Sequence, residues 1–257
     1  EGAIDDARSA MRVLDIVRAI DPEDFDALDR LCVLAERLED WPRVAQHLAQ
    51  LVEVEGDEEE VSKMTQRMAE VLNDKLGKGD EALAVLMDVA DSGDEPAREA
   101  YIKLGDELGW KGIVATKLVE WYLEAPVGDS RNEALRGAFE RFLEVGRDAE
   151  ACQVAQELAR TKSADPELAR RLEEIAVKIR NLDAIGVAHD LMAQDLSGPS
   201  RAEELVRQAE VLVTAGVDPE EAMQHGEQAL ASVPPGHVEP LLERVSKLAV
   251  LAVGRYA

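Results

Sequence analysis

Cysteine and aromatic residues are scarce in this chain. Its 257 residues include two cysteines, three tryptophans, three tyrosines and three phenylalanines. Cys32 and Cys152 lie far apart, with no Cys-x-x-Cys and no Cys/His metal spacing, so neither a disulfide framework nor a zinc module is written in the sequence. Both fall in apolar helical patterns and read as buried free thiols. This usage gives no sign of an oxidising compartment; it favours the cytoplasm and leaves the periplasm open. Basic residues are also few. The 29 Lys and Arg stand against 54 Asp and Glu, a net charge of −25. Nucleic acid needs clustered Lys and Arg to neutralise phosphate, so the balance argues against it as a partner, and equally against an anionic membrane surface. No apolar run reaches the roughly 20 residues a bilayer requires, so no membrane insertion is expected. Apolar residues nevertheless make up 46% of the chain, enough to bury a core and to argue against disorder.

Turn signals recur along the whole length: Asp21-Pro22, Gly56-Asp57, Gly93-Asp94, Gly128-Asp129, Asp165-Pro166, Gly198-Pro199 and Pro234-Pro235. Their mean interval is about 36 residues, and a fixed period in this range marks a solenoid. Further breaks fall midway, at Glu39 to Pro42, Gly77 to Gly79, Gly109 to Gly112, Gly146 to Asp148, Asn181 to Asp183 and Gly216 to Pro219. The segments between are rich in Ala, Leu, Glu, Arg, Gln and Met, which favour helix. Apolar residues return at spacings of three and four, as in Leu28, Leu31, Cys32 and Ala35, or Leu135, Ala138, Phe139 and Phe142. Asp21, Asp165 and Asp218 precede prolines and are predicted to cap helices. Nothing alternates as a strand would. The chain reads as all-α.

The residues inside each unit carry a resemblance. Tyr101, Leu104, Gly105 and Leu108 make one first helix, and Leu28, Leu31, Cys32 and Ala35 another. Val44, Leu48 and Leu51 make a second helix with Trp41 at the turn; Ala151, Ala155 and Leu158 make another, and Ala222, Gly226, Ala229 and Pro234 a late one. In this pattern the chain resembles tetratricopeptide (TPR) repeats, which pair two antiparallel helices in about 34 residues. The resemblance implies a right-handed α-α superhelix, a solenoid of about six TPR-like hairpins with a half repeat at each end. Hairpins are expected over about 21–56, 57–93, 94–128, 129–165, 166–198 and 199–234, with partial units at 4–20 and 237–255. The whole is expected to be a single solenoid and a fragment of a longer chain. The unit containing Leu172, Ile175, Ala176 and Ile179 is expected to lack a cleanly placed small residue in its second helix. Trp121, Leu86 and Leu158 are expected to fill the space between hairpins. The run Leu248 to Val253 is expected to pack onto something.

No catalytic constellation is legible. There is no Gly-x-Ser-x-Gly elbow, no phosphate-binding Gly-Lys-Ser/Thr loop and no Asp-x-Asp-x-Asp-Gly calcium loop. His47, His189, His225 and His237 show no metal spacing, and the first three read as surface or groove residues of second helices. The run Glu58, Glu59 and Glu60 reads as the first turn of a helix, where the dipole favours negative charge. No enzyme, metal or cofactor is expected. The resemblance instead implies a protein-interaction scaffold whose first helices line a groove for a peptide or protein. Carried over by position, the candidate residues are Asp26, Asp29, Val33, Glu36 and Arg37; Lys63, Gln66, Glu70, Asn73 and Asp74; Glu133, Arg136, Glu140 and Glu144; and Arg170, Glu173, Val177, Arg180 and Asn181. The Lys/Asn/Arg set by which some TPR domains clamp a peptide carboxylate is not complete here. The carboxylate excess reads either as a solvated surface or as steering of a basic partner. The alternative to a scaffold is a spacer that packs on another domain of the same polypeptide, or self-associates through its terminal helices.

Overall fold

The computed structural model describes residues 2–123, 125–161, 166–216, 219–234 and 238–256. Among them every regular element is helical and there is no strand. The chain divides into two compact units, residues 1–114 and 115–257.

The first unit holds α1 (Gly2–Ile20), α2 (Phe25–Arg37), α3 (Trp41–Val54), α4 (Glu58–Glu70), α5 (Gly79–Asp91), α6 (Glu95–Glu107) and the start of α7 (Lys111–Tyr122). Helix α2 packs on α3 and α4 on α5. A five-residue π-helical segment, Val71–Lys75, prolongs α4. Leu28, Leu31, Cys32, Ala35, Val44 and Leu48 are fully buried, so the two stripes read from the sequence close on each other. Helix α1 packs against α2 and reaches α3 through Arg18, whose Nη1 donates to Gln50 Oε1 at 2.8 Å. Gly105 shows why small residues are needed. A Cβ there would lie 2.4 Å from Val114 Cγ2, closer than real contacts allow.

The second unit holds the rest of α7, then α8 (Asp129–Glu144), α9 (Asp148–Ala159), α10 (Pro166–Ile179), α11 (Leu182–Ala193), α12 (Gly198–Ala215), α13 (Pro219–Ser232) and α14 (Val238–Tyr256). The pairs α8 with α9, α10 with α11 and α12 with α13 are the hairpins. Large side chains of the first helices, such as Leu135, Phe139, Leu172 and Leu212, are buried, as are alanines of the second helices at Ala151, Ala155 and Ala229. The small residues not expected in α11 are there: Ala184 and Ala188 are fully buried. Trp121 is only half-buried, whereas Leu86 and Leu158 are buried as expected.

Helix boundaries follow local chemistry. Asp57, Asp94 and Asn181 cap α4, α6 and α11, each side chain accepting from backbone N–H groups of the first turn. Glu58, Glu59 and Glu60 occupy the first turn of α4. Asp21 does not cap. Its N–H ends α1 on the Val17 carbonyl, and Asp24 caps α2 instead, accepting from Ala27 N at 2.9 Å. Pro22 therefore belongs to the interhelical turn. Asp165, Asp218 and His237 lie outside the described residues. Within hairpins the chain reverses on a left-handed residue. Gly77, Gly109, Gly146 and Gly216 serve in four, with φ between 64° and 77°. In the other two the position is filled by Glu39 (φ 55°) and Arg180 (φ 57°). The following N–H returns to the helix, as in Arg147 to Phe142 and Asn181 to Ala176, both 2.8 Å.

Candidate functional site

Successive first helices lie side by side within each unit and are stitched by polar pairs one repeat apart. In the first unit, Arg67 of α4 pairs with Glu36 of α2, and Ser62 of α4 donates to Asp94, the cap of α6, at 2.8 Å. In the second unit Arg171 of α10 pairs with Glu140 of α8. Arg207 of α12 grips Glu173 of α10 at 2.8 and 3.0 Å, and Arg244 of α14 grips Glu210 of α12 at 2.8 and 2.9 Å. A glutamate on one first helix thus meets an arginine on the next. Planar guanidinium and carboxylate suit this two-point contact.

The predicted groove residues fall on these helices with differing exposure. On α2, Asp26, Asp29 and Arg37 are exposed, and Val33 and Glu36 half-buried. Lys63 and Glu70 of α4 and Asp74 of the π segment are exposed, with Gln66 and Asn73 half-buried. On α8, Glu133, Glu140 and Glu144 are exposed and Arg136 half-buried; on α10, Arg170 is exposed and Val177 half-buried. Two sets are brought together. Gln66, Glu70, Asn73 and Asp74 line a cleft of 160 Å³ with Lys103 and Glu107 of α6. Val33 and Arg37 line an apolar groove of 490 Å³ with Val13 and Leu14 of α1.

Three predicted groove residues are occupied otherwise. Arg180 forms the left-handed turn, and Asn181 caps α11. Glu173 is only 5% exposed and does not face an open groove. Its Oε1 lies 2.8 Å from His189 Nε2, and both of its oxygens accept from Arg207. Burial pushes the Glu173 carboxyl up, but the bonds from His189 and Arg207 outweigh this and hold it below the usual carboxylate range. A carboxylate can only accept, so Nε2 of His189 carries the proton that joins them. Gln208 completes the layer, donating to the His189 carbonyl at 3.2 Å and to Glu204 at 3.1 Å.

Of the three histidines among the described residues, His47 and His189 are buried and none is fully exposed. His47 is 7% exposed and His189 3%, and His225 of α13 is half-buried with its ring 5.5 Å from that of His189. Burial, with His189 beside it, holds the His225 imidazole below its ordinary value. These residues were hidden from one-dimensional reading because their partners come from three other helices. One signal was present. In the register set by the turn residues Gly146 and Arg180, Leu135, Ala138 and Phe142 of α8 correspond to Ala169, Leu172 and Ala176 of α10, which aligns Glu173 with the buried Phe139. The same register places His189 at the position of Ala155 of α9, an abrupt change at an interior-facing position.

The cysteines behave as read. Cys32 and Cys152 are free and buried, and burial pushes the Cys32 thiol up to about 11, which removes it from thiolate chemistry. No helix among the described residues is long and apolar enough to cross a membrane. The two terminal helices carry exposed apolar side chains: Val13, Ile16 and Ile20 on α1, and Leu242, Val250 and Leu251 on α14. Val250 and Leu251, within the run expected to pack, are open in the described surface, whereas Leu248 is buried.

No protein-family model matches the chain, and no curated protein does. Among solved structures it is similar to a tetratricopeptide repeat protein from Parabacteroides merdae, at 13% identity over 89% of this chain and 98% of that one, with a TM-score of 0.34. It is also similar to the C-terminal part of a TPR repeat-containing protein from Cytophaga hutchinsonii (12% identity, 93% and 94% covered, TM-score 0.35). A third is PilW, a type IV pilus biogenesis factor (14% identity, 74% and 86% covered, TM-score 0.32). Scores this low leave the fold to rest on the helices themselves. Those helices, paired and repeated as described, are TPR-like.

Proposed function

We propose that this protein is a non-catalytic interaction scaffold whose first-helix faces take up an extended, basic segment of a protein partner. The observation that supports this most is the cleft between α4 and α6. There Glu70, Asp74 and Glu107 surround a space lined also by Gln66, Asn73 and Lys103. Amides and carboxylates along neighbouring helices can bond both the backbone and the cationic side chains of an extended peptide. The chain-wide charge of −25 would steer such a segment toward the surface and make capture sensitive to salt. Asp26 and Asp29 of α2, Glu133 and Glu144 of α8 and Arg170 of α10 would extend the same polar face within their own units.

The test is selection of displayed random peptides on the full chain at low salt, followed by anisotropy titration of the enriched sequences. Lys- and Arg-rich peptides should emerge. Their affinity should fall at least about tenfold in Glu70→Lys/Asp74→Lys, a loss of about 1.4 kcal/mol. Glu36 is left unchanged because it holds Arg67. Enrichment of acidic or purely apolar peptides, or binding indifferent to the variant, would defeat the proposal. The spacer alternative rests on the exposed apolar faces of α1 and α14. Light scattering of the full chain beside a form lacking residues 237–257 separates it, since only that reading expects self-association lost on truncation.

A further inference from the structure

His189, His225 and Glu221 stand together at the contact between α11 and α13. One candidate ligand atom from each lies within 4.8 Å of the other two. Glu221 and His225 are one turn apart on α13 and so share a face of that helix. The His189 and His225 rings meet edge to face, at 63°. In both histidines Nδ1 is buried and has no hydrogen-bond partner. Buried ring nitrogens are ordinarily satisfied, so two orphans side by side call for an explanation. On its far side His189 gives Nε2 to Glu173, which is itself fixed by Arg207. That contact holds the proton on Nε2 and leaves the Nδ1 lone pair directed elsewhere. A carboxylate behind an imidazole, orienting it and raising its basicity, is the support that metal-binding histidines receive.

We propose that His189, His225 and Glu221 bind a divalent metal ion of the zinc class, clipping the second helix of the fifth hairpin to that of the sixth. Two imidazoles and one carboxylate suit zinc and its first-row neighbours, whereas magnesium and calcium take oxygen ligands throughout. Zinc–ligand bonds of about 2.0–2.2 Å place tetrahedral ligand atoms about 3.3 Å apart, a closure that small side-chain rotations from the present spacing supply. Three protein ligands leave one position for water or for a side chain of a bound protein. Glu173 is a positioning residue: it touches His189 and not the ion. The site stands independently of the peptide-binding reading.

The experiment is calorimetric titration of zinc sulfate into the metal-stripped full chain, with excess magnesium to occupy the acidic surface. One ion per chain should bind at micromolar or tighter affinity, and the melting temperature should rise with zinc. His225→Gln and Glu221→Gln change half-buried side chains on α13 and should each weaken binding at least about tenfold while helical circular dichroism is retained. Glu173→Gln should weaken it by about 10–100-fold. Cobalt(II) substituted for zinc should give tetrahedral visible absorption that both α13 variants lose. Weak binding of several ions that magnesium displaces would overturn the proposal. So would stoichiometric binding unchanged in His225→Gln and Glu221→Gln, and these two variants decide the matter even if His189→Gln does not fold.

Discussion

Glu140 of α8 and Glu173 of α10 each meet an arginine from the next first helix. They differ in everything that follows. Glu140 is exposed, and Arg171 reaches it across the surface while stacking on Phe139, 4.7 Å from guanidinium to ring centre. Glu173 is buried, shared between His189 and Arg207. In the hairpin of α8 and α9 the second helix buries Ala151, Cys152 and Ala155. The hairpin of α10 and α11 admits His189, whose ring bonds Glu173; Arg207 holds that carboxylate in turn, and Gln208 bonds the His189 backbone carbonyl. The pair on α8 thus stays at the surface, whereas a histidine on the second helix α11 anchors a buried network. Solvent screening leaves the first of little worth, whereas breaking the second strands charge in a low-dielectric interior.

The sharpest test of that contrast is Glu173→Ala, which strips Arg207 and His189 of their shared partner. It should cost about 3–5 kcal/mol in urea unfolding. A cost near that of a surface pair would break the comparison. The same measurement across pH, with a chelator present, sharpens it. The folded-state carboxyl of Glu173 is held low, so its contribution is complete above the ordinary unfolded value of about 4.3 and is lost as pH falls through the folded value. The gap between wild type and Glu173→Gln should close on acidification, and one that widened would reverse the sign. Next in size is the double change Glu173→Leu/His189→Leu. Removing both partners leaves fewer stranded groups, and Arg207 keeps Glu204 at 2.7 Å, so the double should recover about 1–2 kcal/mol relative to Glu173→Leu alone. Arg180→Gly tests the turns of the same two hairpins. It places at φ 57° the residue that hairpin four already has at Gly146, and should stabilise by about 0.5–1 kcal/mol if relief of left-handed strain outweighs the added chain entropy. Smallest is Glu140→Ala, a screened surface pair whose loss should cost no more than about 1 kcal/mol.

How far the sequence could be read follows from the range of the interactions. Helical periodicity, the capping Asp57 and Asp94 and the left-handed glycines act within a few residues, so the all-α class and the TPR-like pairing were legible. Asp21 misled because two aspartates flank Pro22, and only the geometry of the turn selects Asp24 as the cap. Arg180 and Glu39 carry no signature of positive φ, so their turns were visible only as breaks in polarity. Groove positions were assigned by register alone, which cannot say whether a glutamate points to solvent or is drawn inward. Glu173 was drawn inward because His189 lies on the neighbouring helix.

The sequence by itself determined that this chain folds into paired helices of one repeat length with an acidic surface, because those properties depend on composition and on spacings of three and four. Only the tertiary structure decided which polar residues are buried together. Glu173, His189, Arg207 and Gln208 lie on three different helices, and His225 with Glu221 on a fourth. Their meeting depends on how one hairpin stacks on the next, a distance in space that no local pattern encodes.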